Sequence, residues 1–268
     1  MLPPTLEEIE SAEQLRSQGE FTTALALTQN MLTRAEDEGT RMRLLFDLLY
    51  CSTRLSEDSI TESACLELEK LPQPEFSRAL ANSIRANSEI DLYRPEKALA
   101  LIDMNLETGY FEREDFRIHK YDLFHFKGRA LARMWRWDEA IEWLDKAHAM
   151  YPSEADIPDE DTRRHVHWAE EGILLNKAFC FIGLRRFDEA FEMSRRVYEK
   201  AEGWGKTQAM QQMADSRLWQ GRASEALALY IDIQKRLPDS SISDECIRDR
   251  IVQCTDYIEK CRAKSKPS

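Results

Sequence analysis

Glycine and proline are scarce in this 268-residue chain, at nine each. Few helix breakers permit long helices, and abundant Ala, Leu, Glu and Arg favour them. No apolar run approaches the roughly eighteen residues that a membrane-spanning helix needs. The opening residues, Met1-Leu2-Pro3-Pro4-Thr5-Leu6-Glu7-Glu8, lack the basic region and apolar run of a signal peptide, so a cytoplasmic location is expected. Cation is in deficit too. Lys and Arg total 37 against 49 Asp and Glu, a net charge of −12. A general nucleic-acid binder needs a basic footprint, and an anionic bilayer would repel such a chain. Neither is an expected partner. No Cys-x-x-Cys pair occurs among Cys51, Cys65, Cys180, Cys246, Cys254 and Cys261, and buried free thiols are the expectation.

What the chain does contain is a repeated unit. Gly19-Glu20-Phe21-Thr22-Thr23-Ala24 opens one, followed by Leu25, Leu27 and Leu32. Arg136-Trp137-Asp138-Glu139-Ala140 leads to Leu144, Ala147 and Pro152, and Arg186-Phe187-Asp188-Glu189-Ala190 leads to Met193 and Val197. Gly221-Arg222-Ala223-Ser224-Glu225-Ala226 leads to Leu229, Ile233 and Pro238. Each reads as a tight turn, then a helix whose first turn is acidic where exposed N–H groups favour it, then a small residue. The small residue lets two antiparallel helices cross closely. A matching small residue stands twelve positions earlier: Ala86 for Ala98, Gly128 for Ala140, Ala178 for Ala190 and Ala214 for Ala226.

The pattern predicts an all-α chain of six helix pairs, over roughly 5–36, 40–71, 75–107, 118–151, 163–201 and 205–237. A final helix over 243–262 closes a single repeat domain spanning 1–262, and the tail 263–268 is expected to be disordered. Thr5 with Glu8, and Ser59 with Glu62, fit capping boxes; Pro95 suits the first position of a helix. The last helix turns Ile247, Ile251, Cys254, Ile258 and Cys261 to one face, and Arg248, Asp249, Asp256 and Glu259 to the other, as a solenoid cap requires. Spacing between crossing residues is uneven, at 42, 50 and 36 from Ala98 through Ala140 and Ala190 to Ala226. The excess falls near 109–117 and 153–164.

The stretch Phe124 to Pro152 closely resembles a tetratricopeptide repeat (TPR), through Gly128, Leu131, Trp137, Ala140, Leu144, Ala147 and Pro152. Residues 174–201 are similar through Ala178, Phe181, Phe187 and Ala190, and 210–238 through Ala214, Gly221, Ala226, Tyr230 and Pro238. The resemblance implies an alpha-alpha superhelix, a right-handed solenoid of antiparallel helix pairs. It implies a scaffold or adaptor that holds a peptide or protein partner in a concave groove lined by the first helix of each pair. That carry-over nominates Asn87, Asp91, Asp122, His125, Arg129, Arg133, Gln208, Gln211 and Asp215. Trp219, near the groove end of its helix, is added as an aromatic anchor. The clamp by which some members hold a chaperone tail is not expected, because Ser83, Phe126 and Gly172 stand where that clamp has Lys, Asn and Lys.

Catalytic and cofactor chemistry finds little support. His165 and His167 are two apart and point in different directions on a helix. His167 and Glu170 have helical ligand spacing, but two ligands do not make a zinc site. There is no glycine-rich phosphate loop, and His119, His125 and His148 form no nucleophile arrangement. The expectation is a binding protein without catalytic residues, metal, cofactor or small-molecule substrate. Two alternatives remain: a structural subunit of a larger assembly, using its convex face or cap helix, and a peptide-responsive regulatory protein. Arg129, Arg133 and Arg136 form a basic stripe able to receive an acidic peptide or a terminal carboxylate.

Overall fold

A computed structural model describes residues 2–71, 74–109, 117–150, 160–201, 203–236 and 244–264. Among them all regular structure is α-helix, in the order α1 (Leu6–Ser17), α2 (Phe21–Leu32), α3 (Glu38–Leu55), α4 (Asp58–Leu68), α5 (Pro74–Asp91), α6 (Pro95–Glu107), α7 (Arg117–Arg133), α8 (Trp137–Ala149), α9 (Glu160–Gly183), α10 (Phe187–Lys200), α11 (Gly203–Trp219), α12 (Ala223–Arg236) and α13 (Asp244–Lys264). The expected pairs and final helix are there, within a few residues at each end. At 24 residues, α9 is longer than α7 and α11, at 17 each, so helix extension accounts for part of the long spacing before Ala190. No described helix is long and apolar enough to cross a membrane. The chain divides into two compact units, Met1–Arg133 and Met134–Ser268. In the first, α1 to α7 each pack on the next, and α3 and α7 both pack on α5. In the second, α8 to α13 do likewise, and α9 also packs on α11.

One turn recurs at every first-to-second helix junction. Gly19, Ser56, Tyr93, Trp135, Arg185 and Gly221 all take left-handed backbone, with φ between 58° and 83°. At five of these turns the same two hydrogen bonds close the helix. Tyr93 N–H donates to Ile90 O (3.1 Å) and Arg94 N–H to Glu89 O (2.8 Å); Arg185 and Arg186 repeat this on Ile182 and Phe181, at 3.0 and 2.8 Å. This is the Schellman closure, which satisfies carbonyls that the helix end would leave orphaned. Five residues after each left-handed residue comes the buried crossing position: Ala24, Thr61, Ala98, Ala140, Ala190 and Ala226. Twelve before that crossing stand Ala12, Leu49, Ala86, Gly128, Ala178 and Ala214, every one buried. Leu49 and Thr61 keep the geometry without small residues, which is why the repeat was faint there. Ala12 completes the first pair.

Only two of the six left-handed positions carry glycine. A residue with a side chain is disfavoured there by about 1–2 kcal/mol. Arg185 is exposed with φ 60°. Arg185→Gly is therefore expected to stabilise the second unit by about 1 kcal/mol, read as a raised urea midpoint with unchanged slope.

Capping follows expectation at one end and departs at another. Thr5 and Glu8 form the reciprocal box: Glu8 N–H donates to Thr5 Oγ1 (3.2 Å) and Thr5 N–H to Glu8 Oε2 (2.8 Å). Arg34 then donates to Glu8 Oε1 at 2.7 Å, tying α1 to the end of α2. The Ser59–Glu62 box does not form. α4 begins at Asp58, with Glu57 as an N-cap that makes no side-chain bond. The turn at Ser56 leaves one residue before the helix, so Ser59 falls inside it. Pro95 opens α6 as expected. On α13, Ile247 and Cys254 are fully buried with Ile251 and Ile258 packed beside them, and Arg248, Asp249, Asp256 and Glu259 are exposed. Cys51, Cys180 and Cys254 are buried free thiols and Cys65 is half-buried. Burial pushes the Cys51 thiol up to about 11 and Cys180 to about 12, so neither forms a thiolate readily. The side chains of Cys246 and Cys261, and residues 265–268 of the expected tail, lie outside the described residues.

Candidate functional site

The left-handed turns supply a common ruler for the first helices. Two and six residues before them come Arg54 and Tyr50 on α3, Asp91 and Asn87 on α5, and Arg133 and Arg129 on α7. In the first unit these positions form one network. Arg129 donates through Nη1 to Asn87 Oδ1 (2.5 Å) and through Nη2 to Asp91 Oδ1 (2.8 Å). Arg54 Nη1 lies 2.9 Å from the other Asp91 oxygen. One carboxylate thus joins three successive first helices. Burial pulls the Arg129 pKa below its ordinary value, and Asp91 pulls it back; a guanidinium stays charged regardless.

Further toward α1 the same face is also paired. Arg43 makes a two-pronged bond to Glu13, both arms at 2.7 Å, and Arg16 lies 2.7 Å from the buried Asp47. Arg16 also stacks on the Tyr50 ring at 5.3 Å and Arg54 on Phe21 at 5.1 Å. Phe21 begins α2 and lies against Tyr50, ring centroids 6.1 Å apart. Of the expected binding residues, Asn87, Asp91 and Arg129 are thus brought together and engaged with one another. Arg133 is exposed, its guanidinium 4.7 Å from the centre of the Tyr93 ring. His125 is buried beside Phe126. Ser83, where the chaperone clamp has lysine, belongs to a buried polar knot: Asn105 Nδ2 donates to Ser83 Oγ (3.1 Å) and Ala79 O (2.7 Å).

Asp122 is half-buried on α7, and loss of water pushes its carboxyl up to about 7. A carboxyl whose folded value is raised opposes folding once it ionises. Its contribution is most favourable below the ordinary value near 4, declines as pH rises toward 7, and is then constant. Asp122→Asn is expected to raise stability at pH 8 by roughly 1–3 kcal/mol and to leave it nearly unchanged at pH 4. Urea titrations of both proteins at the two pH values check this.

The second unit carries a different chemistry at the equivalent places. Two and six residues before its turns stand Gly183 and Phe179 on α9, and Trp219 and Asp215 on α11. Trp137, first residue of α8, lies edge-on to Phe179 with centroids 5.5 Å apart. It covers Gly183 so closely that a Cβ there would meet the indole at 2.5 Å. Phe21 against Tyr50 and Arg54 is the same contact in the first unit. Asp215 is turned to structural work: Tyr230 Oη donates to it at 2.6 Å and Arg250 of α13 lies 3.5 Å away. Burial raises its pKa, opposed by those two partners. Gln208 and Gln211 are half-buried, while neighbouring Gln212 donates to Leu175 O (3.0 Å) and links α9 to α11. Trp219 is 53% exposed, with the Arg250 guanidinium 6.0 Å from its ring.

Sequence reasoning missed Arg54, Tyr93, Phe179 and Arg250 at these faces. Phe179 was within reach, since it stands at a fixed distance from the turn read at Arg186; Arg54 and Tyr93 belong to turns that no glycine marks. Among the described residues, no three His, Cys, Asp or Glu side chains gather where they could hold a metal ion. His148 lies 3.5 Å from Glu170, and His167 is exposed. The side chains of His119, His165, Trp168 and Trp204, and the parts 110–116 and 153–159 of the expected excess near 109–117 and 153–164, fall outside the described residues. No protein-family model matches this chain, and no curated protein matches it.

Proposed function

We propose that the chain is a TPR-like adaptor, a right-handed superhelix of antiparallel pairs whose first helices form a concave face for a peptide or protein partner. The observation that carries this reading is Trp219. Its indole is more than half exposed at a register position whose counterparts Arg54 and Asp91 are tied into the protein. A large aromatic left in water on a repeated face has the character of a binding anchor. The amides of Gln208 and Gln211 lie on the same helix and suit an extended backbone. The reading involves no catalytic step.

The test is retention of a partner from host lysate by the immobilised chain, compared with Trp219→Ala. The variant is expected to keep its helical circular dichroism and to lose the partner. Equal retention by both proteins counts against the first-helix face. It favours the second reading, a subunit of a larger assembly. The observation behind that reading is Leu66 on α4 and Met104 on α6, exposed at 60% and 54% on second helices.

A further inference from the structure

In the second unit, α11 and the closing helix α13 bring two exposed aromatic rings together. Trp219 is 53% exposed and Tyr257 is 45% exposed. Arg250 links them. Its guanidinium lies 6.0 Å from the centre of the Trp219 ring, and Tyr257 follows it two helical turns later on the same side of α13. The Tyr257 hydroxyl reaches the turn between α11 and α12, where a Cβ on Gly221 would stand 3.1 Å from it. Glycine at that turn leaves the tyrosine its place. The core beneath α13 is built instead from Ile247, Ile251, Cys254 and Ile258, on another side of the helix. Charge around the rings is balanced: Asp215 accepts from Tyr230 Oη at 2.6 Å and lies 3.5 Å from Arg250. Donors are well represented. Trp219 has its indole N–H and Tyr257 its hydroxyl. The Gln253 oxygen accepts from Arg250 Nη1 at 3.0 Å, which turns its N–H₂ the other way.

We propose that this surface, Trp219 and Tyr257 with the donors beside them, receives a proline-rich segment of a partner protein in the polyproline II conformation. Carbonyls of such a segment have no internal hydrogen bonds and need donors. Its flat pyrrolidine rings lie on aromatic faces. The spacing fits as well. From Arg250, beside which the Trp219 ring lies, to Tyr257 the α-helix advances about 10 Å. One turn of polyproline II, three residues, advances about 9 Å, so prolines three apart meet successive rings. Charge selects the same occupant: an uncharged segment suits a locally balanced surface, whereas an acidic peptide or a nucleic acid would approach a chain of net charge −12. The segment arrives already extended, so binding costs it little conformational freedom. The proposal rests on the adaptor reading and adds to it the chemistry of the partner.

The experiment is fluorescence anisotropy with short labelled peptides in a neutral background. One carries prolines three residues apart, one carries them two apart, and one has alanine in place of both; a glutamate-rich peptide and an oligouridylate complete the set. The first is expected to bind, with little dependence on salt, and the second and third about fivefold more weakly. Trp219→Ala and Tyr257→Ala are each expected to lower its affinity about tenfold with helical circular dichroism and Tm unchanged. Leu66→Ala, at an exposed residue of the first unit, is expected to change nothing. Equal binding of the proline and alanine peptides, indifference to proline spacing, preference for the glutamate peptide or the oligouridylate, or unchanged affinity in either aromatic variant each overturns the proposal. Lost helical signal in either variant would show its ring holding the fold, and overturns it too. If the proline peptide fails while Trp219-dependent retention persists, the adaptor reading stands and this partner chemistry falls. If both fail, the adaptor reading falls with it.

Discussion

Asp91→Ala is expected to destabilise the first unit by about 2–4 kcal/mol, between the values of exposed and fully buried ion pairs. The carboxylate is 29% exposed, and its two guanidinium partners are 24% and 19% exposed. Removing it leaves Arg54 and Arg129 facing one another across α5 without a counterion. The deletion thus adds a repulsion to the loss of two attractions. Asp91→Asn keeps oxygen and size but not charge, and should recover less than half of the loss. A double-mutant cycle with Arg129→Ala separates the terms: once Arg129 is absent, losing Asp91 should matter much less. Additive losses in urea denaturation would mean that the two side chains do not act as a pair.

Gly183→Val is expected to cost about 1–3 kcal/mol in the second unit, the usual range for overpacking. Gly183 has ordinary helical backbone, so the requirement is space rather than φ. A Cβ would lie 2.5 Å from indole carbon Cε2 of Trp137, and that ring is held from the side by Phe179. The indole cannot yield without giving up its edge contact. In a Trp137→Ala background the same substitution should be nearly neutral. Chemical denaturation of the four proteins measures the coupling. A valine that is harmless with Trp137 present would show that the indole has another place to go.

The two units present unlike chemistry along their first helices. In the first, charges alternate and satisfy one another from Glu13 and Arg43 through Arg54, Asp91 and Arg129, so the face is held as well as decorated. In the second, Phe179 and Trp219 place aromatic surface in water, and Asp215 anchors α12 and α13. Reversing the charge of Arg129 would therefore test folding before it tested recognition. Trp219, more than half exposed, is a residue at which binding can be probed with the fold intact.

How much of this was readable in advance depends on the range of the interaction. The helix pairs were legible because the crossing residues recur at fixed short distances, and because helix breakers are few. The turn at Gly19 was legible, since glycine announces left-handed backbone. The turns before Trp137 and Phe187 were legible from the repeated unit, but left-handed backbone at Trp135, Arg185 and Tyr93 was not, because packing on both sides holds a conformation that those residues do not favour. The Ser59 box failed for a related reason: the Schellman closure at Ser56 sets where α4 begins, and a local cap motif cannot outvote it. Candidate face residues were legible as positions in a register. Their engagement was not: Arg129 reaches partners 38 and 42 residues earlier in the chain. Only the stacking of successive pairs decides whether such a side chain meets an acid or water.

The Schellman turns also govern where the chain can grow. Every first-to-second junction is two or three residues long and holds a left-handed residue, and five of the six are closed by the same two hydrogen bonds. The second-to-first junctions run from two residues, between α10 and α11, to ten, between α8 and α9. Length has accumulated in one kind of connection and been excluded from the other. A reporter, epitope or tether introduced at 69–71 or 108–109 should leave each hairpin whole. The same insert at 92–94 would sever the closure that sets α6 against α5. The architecture thus holds one kind of joint to a constant length and lets the other vary.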